Sequence, residues 1–407
     1  MTETATQAST PLPFDPFSPE FARDPYPFYA LCRENTPLLE LPFGWLVFRH
    51  ADVTEILKDR RFGHRYVETM SAAFGPELLE EPLYQMMRST MLIADPPDHT
   101  RLRGLVAKAF TARRVESMRP RIRQIVDELI DRVEPEGGMD VVRQFAHALP
   151  VIVICDMLGI PESDRAMFLE SSRVTGRVVD PTPMTPEEIA RGNENTTFLF
   201  DYFGRLFDLR RREPGDDLCS ALVAAEQDEG RLSALELAAN VQLLFAAGHE
   251  TTANLIGNGL LALHRHPDQL ARLKAEPELM PNAIEELLRF DSSVQLTSRR
   301  PFEAVAYRDI RFEDHQMVYL MLAAANRDPA VWTDPDRLDV ARPGVKAISF
   351  GGGLHHCLGA QLARIEGEEA FGGLLRRLPD LRLQSLDNLQ WRPTFTLRGL
   401  TALNATW

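Results

Sequence analysis

Residues 350–359 read Phe-Gly-Gly-Gly-Leu-His-His-Cys-Leu-Gly, and we expect the fold of this 407-residue chain to be organised around them. Three consecutive glycines precede Cys357, and Gly359 follows it two residues later. Residues 360–375 carry apolar side chains at helical spacing, so the cysteine lies where a glycine-rich loop meets a predicted helix. The dipole and free N–H groups of a helix N-terminus favour an anion and lower the pKa of a thiol. The pattern therefore predicts a thiolate at residue 357.

Two interpretations of this cysteine are open on the residues alone. The first is a buried free thiol beside a flexible turn. The second is a metal ligand, since a single thiolate without a second cysteine or histidine at zinc spacing suits the axial position of a haem iron. The glycines favour the second interpretation because they let the backbone turn sharply and lie flat against a large group.

The whole stretch resembles the haem-binding signature of the cytochrome P-450 family, Phe-Gly-x-Gly-x-His-x-Cys-x-Gly, at every fixed position. The resemblance implies that Cys357 is the thiolate ligand of haem b and that His355 contacts a haem propionate. It also implies that Phe350 and Gly359 belong to the haem-binding loop.

Composition restricts the class of protein. The chain is 44% hydrophobic and 26% charged, which is typical of a globular protein with a large core. The net charge of −14 argues against nucleic acid as the main partner. The four cysteines lie far apart and form no disulfide framework, so a reducing cytoplasm is expected. No signal peptide and no membrane anchor are predicted, and the chain resembles the soluble bacterial type of the family.

Periodicity predicts a mainly helical protein with a small β region. Residues 1–24 are interpreted as a proline-bearing arm, and residues 25–407 as one cytochrome P-450 haem domain. A β-hairpin is predicted at residues 38–48, and residues 62–93 are predicted to be irregular. Further strands are predicted at residues 294–300 and 317–323.

A second haem-binding segment is indicated at residues 95–103. His99 and Arg103 are four residues apart on a predicted helix and so share one face. The alternative is a solvated basic helix, but the resemblance implies that this pair lies beside the haem propionates. Arg299 stands where the family has another propionate contact, and Arg300 beside it leaves that register open by one residue.

The same region begins a basic block. Residues 99–123 contain eight Lys or Arg and one acid, Glu116, in an otherwise acidic chain. The block is either a solvated face or a docking surface for an acidic protein, because complementary charge speeds encounter.

Residues 233–266 form the longest uninterrupted helical pattern, which opens with a capping box. Within it, residues 246–252 read Ala-Ala-Gly-His-Glu-Thr-Thr, a poor helix sequence that predicts a functional kink. A tolerated polar patch facing solvent is the alternative. The patch resembles the oxygen-binding groove of the family, which implies that Glu250 and Thr251 form a proton relay.

Glu286 and Arg289 are three residues apart on the helix predicted at residues 279–291. Such pairs are usually surface interactions of small energy. The resemblance implies instead a buried structural network, with Arg337 as its third member, that holds the loop carrying the cysteine.

Together these features predict a haem-thiolate monooxygenase that uses O2, with electrons from NAD(P)H through a ferredoxin and its reductase. A peroxygenase or isomerase is the first alternative, and a non-enzymatic haem sensor is the second. We expect the protein to be a monomer. Its substrate is expected to be a hydrophobic small molecule, because the candidate pocket residues are all apolar: Leu244, Ala247, Val294, Leu296 and Phe395.

Overall fold

The structure is a computed structural model that describes residue 15 and residues 18–42, 44–171, 180–181, 184–229 and 232–407. Most of the predicted arm lies outside the described residues, as do residue 43 of the predicted hairpin and residues 172–179. Within the described part of the arm, Pro19 begins a short helix whose Phe21 is buried. Proline fits this first position because the N–H there has no intrahelical partner.

Helices make up most of the described chain. The α-helices are α1 (Pro19–Arg23), α2 (Tyr26–Asn35), α3 (His50–Lys58), α4 (Tyr66–Phe74), α5 (Pro82–Arg88), α6 (Asp98–Ala109), α7 (Ala112–Ser117), α8 (Arg119–Val133), α9 (Ala148–Leu158), α10 (Arg165–Ser171), α11 (Pro186–Arg212), α12 (Leu218–Glu229), α13 (Ala234–Arg265), α14 (Pro267–Ala275), α15 (Met280–Phe290), α16 (Leu322–Ala325) and α17 (Ala360–Arg377). Short 3-10 helices cover Pro76–Glu80, Glu134–Glu136, Glu162–Asp164, Pro277–Leu279 and Gly353–His355, and Val141–Ala146 is a π-helical segment.

The strands form small sheets at the edge of the helical body. They are β1 (Leu38–Leu41), β2 (Gly44–Val47), β3 (Phe62–Gly63), β4 (Gly138–Asp140), β5 (Thr297–Pro301), β6 (Val305–Tyr307), β7 (Ile310–Phe312), β8 (Met317–Leu320), β9 (Arg382–Leu383) and β10 (Asn404–Thr406). The largest sheet has the order β1-β2-β8-β5-β3, in which β2 and β8 run parallel and the other pairs run antiparallel. The predicted mainly helical class with a small β region is confirmed.

Helix α13 is the central element of the core. Its side chains Phe245, Ile256 and Leu260 are fully buried, and the helix packs against α9 and α17. The predicted capping box is present, since the Ser233 side chain accepts from the Glu236 N–H while the Glu236 carboxylate accepts from the Ser233 N–H. Burial of so much apolar surface along one helix fixes its position relative to the rest of the protein.

The prediction that residues 62–93 are irregular is wrong. Helices α4 and α5 both lie within this range. Pro82 occupies the first turn of α5, and the buried Leu83 and Met87 of that helix pack in a cluster of their own. The segment has too few apolar residues at regular spacing for its helices to stand out, and tertiary packing supplies the missing stability.

Among the residues that the structure describes, one helical stretch, Val141–Leu158, has the length and composition of a membrane span. In the structure 78% of it is buried inside the protein. Its second half, α9, packs directly against α13. These contacts are those of a core helix.

Candidate active site

A cavity of about 280 Å³ lies between α13 and the loop that carries Cys357. Side chains from α6, α13, β5 and α17 complete its lining. The accessible surface of Cys357 faces this cavity. Residues 350–359 therefore form one wall of this cavity.

Two of the three consecutive glycines are required by the backbone. Gly351 and Gly353 have φ of 68° and 66°, in the left-handed region that favours glycine. A Cβ at Gly353 would also meet the carbonyl oxygen of Leu57 at 2.0 Å, so this glycine packs against the chain's own backbone. Gly351 lines the cavity, and its Cβ position faces open space.

Cys357 is held at the end of this loop. Its N–H donates to the carbonyl of Phe350 at 3.0 Å, which closes the loop on itself. Burial raises the pKa of Cys357, against the sequence-based expectation, while the Gly359 N–H and the guanidinium groups of Arg103 and Arg364 oppose that rise. The predicted helix start at residue 360 is correct, but its N–H groups do not outweigh desolvation.

Cationic side chains gather at one end of the cavity. Arg103 and Arg299 line it, and the ring of His355 lies 4.2 Å from that of His99 and 4.6 Å from that of His64. Burial and the nearby Arg299 lower the pKa of His355 to about 3, and burial lowers the pKa of Arg299 to about 10. Burial and, after it, the nearby Arg299 also lower the pKa of His64 well below its ordinary value. The cluster is thus short of negative charge.

These residues fit the predicted haem. Both ring nitrogens of His99 are buried and have no hydrogen-bond partner among the described residues. An imidazole without a hydrogen-bond partner, beside two arginines, is a site for carboxylates such as haem propionates. Cys357 is the only cysteine among the described residues that line the same cavity. Of the two neighbouring arginines, Arg299 is the better candidate for the propionate contact. Arg300 instead donates to the carbonyl of Asp314 and to the hydroxyl of Thr69.

The polar patch of α13 divides into two faces. Thr251 and Thr252 line the cavity, and each hydroxyl donates back to a carbonyl of the preceding turn. Glu250 is not part of the lining, and its carboxylate pairs with Arg392 at 3.0 Å. Helix α13 runs unbroken through the patch. The predicted relay pair is therefore split: Thr251 lies on the cavity wall, and Glu250 belongs to a partly buried ion pair.

A second carboxyl group, Glu366, was missed by the sequence reasoning. It lies on α17 and lines the cavity together with Thr252. Burial raises its pKa to about 8, which favours the protonated carboxyl group at neutral pH, and the nearby Thr252 opposes that rise. A signal was present, because Gly359, Leu362, Ala363 and Glu366 have the i, i+3, i+4, i+7 spacing of one helix face.

Comparison with known proteins identifies the fold and the family. The family model for cytochrome P-450 matches residues 60–387. The chain belongs to the cytochrome P-450 family. It is 43% identical to vitamin D(3) 25-hydroxylase of Pseudonocardia autotrophica, with 96% of each chain covered. It is 39% identical to cytochrome P-450 monooxygenase PikC of Streptomyces venezuelae, over 100% of this chain and 97% of that one.

Solved structures agree with this assignment. The crystal structure of CalO2 is similar with a TM-score of 0.90 and 35% identity, over 97% of this chain and 98% of that one. The complex of P-450 BioI with a fatty-acyl carrier protein gives a TM-score of 0.87 and 36% identity, over 96% of this chain and 100% of that one. The protein is a cytochrome P-450 monooxygenase, whose cofactor is haem b and whose co-substrate is O2.

The buried network of this cytochrome P-450 differs from the prediction in one member. Arg289 makes a bidentate pair with Glu286 at 2.7 and 2.9 Å, and both side chains have no exposed surface. The third member is Arg342, whose Nε donates to both Glu286 oxygens. The prediction of Arg337 is wrong, because its side chain is exposed and only its carbonyl accepts from the two buried arginines.

The predicted pocket residues separate into two groups. Leu244, Ala247 and Val294 line the cytochrome P-450 cavity. Leu296 and Phe395 do not, since they pack in a separate cluster with Phe21 of α1. Residue spacing gave no means of separating the two groups, because every one of these side chains is apolar.

The basic block is largely neutralised within the fold. Arg114 pairs with Asp216, and Arg123 pairs with Glu369. Arg121 pairs with Asp156 at 2.7 Å. Arg101 and Arg119 also have carboxylate partners. The charge that this face presents to a partner is therefore smaller than the count of basic residues indicates.

Proposed function

We propose that this enzyme inserts one oxygen atom of O2 into a hydrophobic small molecule, by hydroxylation or epoxidation. The observation that carries the proposal is the meeting of the Cys357 thiol and the Thr251 hydroxyl on one largely apolar cavity. A thiolate ligand and a hydroxyl relay in the same chamber are the two groups that oxygen activation needs from the protein.

The roles of the side chains follow from their positions. When bound, haem supplies the reduction of O2 and the oxidation of the substrate, with the thiolate favouring O–O cleavage. Cys357 would ligate the iron, while Arg103, Arg299, His99 and His355 would hold the propionates. Thr251 would hold a proton at the cavity wall, with Glu250 as the acid that resupplies it.

The cavity lining sets the substrate class. Leu244, Ala247 and Val294 present hydrocarbon surface, and burial of such surface is worth about 25 cal/mol per Å². A hydrophobic substrate is also supported by the relatives, since the similar structure of CYP267B1 contains myristic acid. That structure has a TM-score of 0.88 and 39% identity.

The electrons are proposed to come from NAD(P)H through a ferredoxin reductase and a ferredoxin. Neither a flavin nor a nicotinamide fingerprint occurs in the sequence. Arg113 is an exposed cation on α7, which packs against α17, so it is placed to meet an acidic partner. We further propose that the enzyme acts as a monomer in the cytoplasm.

The first test is the carbon monoxide difference spectrum of the reduced protein. The native chain is expected to give the thiolate-type band, and Cys357→His is expected to lose both this band and monooxygenation. Cys219→Ser is the matched control, because that cysteine is buried and does not line the cavity. Retention of the band and of turnover in Cys357→His would disprove the assignment of the ligand.

Turnover then separates the reaction classes. Product is expected with NAD(P)H, ferredoxin and reductase together, and it is expected to require all three. Product that forms as fast with peroxide alone, or without any oxidant, would indicate a peroxygenase or an isomerase instead.

A further inference from the structure

The carboxylate of Glu250 points to a connection with the protein surface. Its side chain is 10% exposed, it does not line the cavity, and the Arg392 guanidinium donates to it at 3.0 Å. A buried carboxylate of a proton relay has to recover each proton it gives away. Arg392, the cation paired with this carboxylate, lies on a candidate route for that recovery.

Arg392 stands on a fixed segment near the C-terminal end of the described chain. Its backbone N–H donates to the carbonyl of Gly399 at 2.9 Å, and the neighbouring Trp391 pairs with Leu400. The ring of Trp391 packs under the guanidinium of Arg398 at 3.6 Å. With the backbone held in this way, the side chain of Arg392 is directed at Glu250 by the fold.

The other side of Arg392 borders a second cavity. This cavity of about 400 Å³ lies between α1 and the segment of residues 389–399. Gln295, Gln390 and Thr394 give it polar walls. It has room for several waters, each of which occupies about 30 Å³ in the liquid. The Arg392 side chain is 30% exposed, lines this space and also pairs with Glu250, so it joins the second cavity to the buried carboxylate.

We propose that the second cavity is the solvent entrance for protons and that Arg392 is a positioning residue which holds Glu250 between this entrance and Thr251. The inference rests on the proposed function. Arginine stays protonated in proteins, so it orients the carboxylate and does not itself carry the proton. A hydronium ion in the entrance gives its proton to Glu250 and is left as water. The Glu250 carboxyl group then passes a proton through intervening water to the Thr251 hydroxyl, as the hydroxyl releases its own proton into the active-site cavity. Both side chains then return to their starting states.

The test compares three substitutions in the holoenzyme with the complete electron-transfer chain. Arg392→Met keeps the length of the side chain and removes its charge. We expect it to lower kcat about tenfold and to raise the solvent deuterium isotope effect, with KM and the substrate-induced spectral shift unchanged. Arg392→Lys should recover kcat to within about threefold, since it restores the cation. Arg382→Met, on the exposed strand β9, is the matched control and should behave like the native enzyme.

A second substitution tests the entrance separately. Gln390→Trp narrows the second cavity and leaves the ion pair in place, so kcat should fall about threefold with a raised isotope effect. A readout that does not depend on activity is the double-mutant cycle of Arg392→Met with Glu250→Gln in urea unfolding. Each single change should lower the folding equilibrium constant about fivefold, and the double change should lower it no further.

The outcomes distinguish this inference from the proposed function. Native kcat, isotope effect and coupling in Arg392→Met, with Glu250→Gln slow, would overturn the inference and leave the proposed function intact. Native behaviour of Gln390→Trp would overturn the entrance. If the native enzyme forms no product with the complete chain, the proposed function fails and the inference fails with it.

Discussion

At the scale of single residues, the two neighbouring hydroxyl groups of Thr251 and Thr252 on α13 lie next to different carboxyl groups. Thr251 follows Glu250, whose carboxylate pairs with Arg392, whereas Thr252 lines the cavity together with Glu366, whose pKa is raised by burial. Both hydroxyls line the cavity. The geometry therefore offers two candidate acids, Glu250 and Glu366, and the first pairs with Arg392, which lines the second cavity.

We predict that Thr251→Ala retains haem binding and substrate affinity but uncouples the reaction. Without the hydroxyl, protons reach bound oxygen more slowly, so reduced oxygen leaves as peroxide while NAD(P)H is still consumed. Product per NAD(P)H should fall about tenfold or more, since a positioned donor typically contributes about 10² to 10⁴-fold. The measurement is product and peroxide formed per NAD(P)H oxidised.

Thr252→Ala serves as the control for this prediction and should keep near-native coupling. Glu250→Gln should slow turnover, because an amide cannot pass a proton as a carboxyl group does. Native coupling in Thr251→Ala together with uncoupling in Thr252→Ala would mean that the relay runs through Thr252 and Glu366.

At the scale of elements, the network around Glu286 joins α15 to the chain that leads to the cysteine loop. Arg289 donates to the carbonyls of Asn326 and Pro335 as well as to Glu286. Asn326 in turn accepts from the N–H of Ile348, and Ser349 donates to the carbonyl of Leu288. The position of Phe350 is thereby tied to a buried charge network two elements away.

We predict that Arg342→Met destabilises the protein by about 3 to 5 kcal/mol, because it leaves the buried charge of Glu286 short of a partner. The fraction of protein with the thiolate-type carbon monoxide band should fall in parallel. Urea unfolding and the difference spectrum measure the two effects.

Arg337→Met is the matched control, since that side chain is exposed. It should change stability by about 0.5 kcal/mol or less. Equal losses in the two variants would contradict the role assigned to Arg342.

At the scale of the whole molecule, the number of basic residues in a segment does not give the charge that the segment presents to a partner. The chain carries a net charge of −14, and the basic block of residues 99–123 is crossed by ion pairs to acids elsewhere in the fold. Paired exposed charges present little field beyond a Debye length of about 8 Å at physiological salt. Among the described residues, Arg113 is an exposed arginine of this block without an ion pair.

We predict a moderate salt dependence of reduction by a ferredoxin. The rate should fall about two- to fivefold between low and high ionic strength, because screening weakens the few unpaired cations. Arg113→Gln should lower the low-salt rate, whereas Arg132→Gln, an exposed change on α8, should not. A rate that is independent of ionic strength would exclude this docking face.

The sequence by itself determined the family, the helical class and the cysteine loop, because these depend on local patterns. Each of these features depends on residues that are close in the sequence, as with a glycine at positive φ, the capping box at Ser233 and an apolar helix. The pair of Glu286 and Arg289 was also predictable, since three residues of helix bring the two side chains together.

Only the tertiary structure decided the partners that come from distant parts of the chain. It replaced Arg337 with Arg342, joined Glu250 to Arg392 and separated Leu296 and Phe395 from the cavity. The pKa of Cys357 also depended on it, because desolvation by the whole fold outweighs the local N–H groups. The physical reason is that pairing and burial depend on distances in space, and spacing along the chain sets those distances only within one helix or turn.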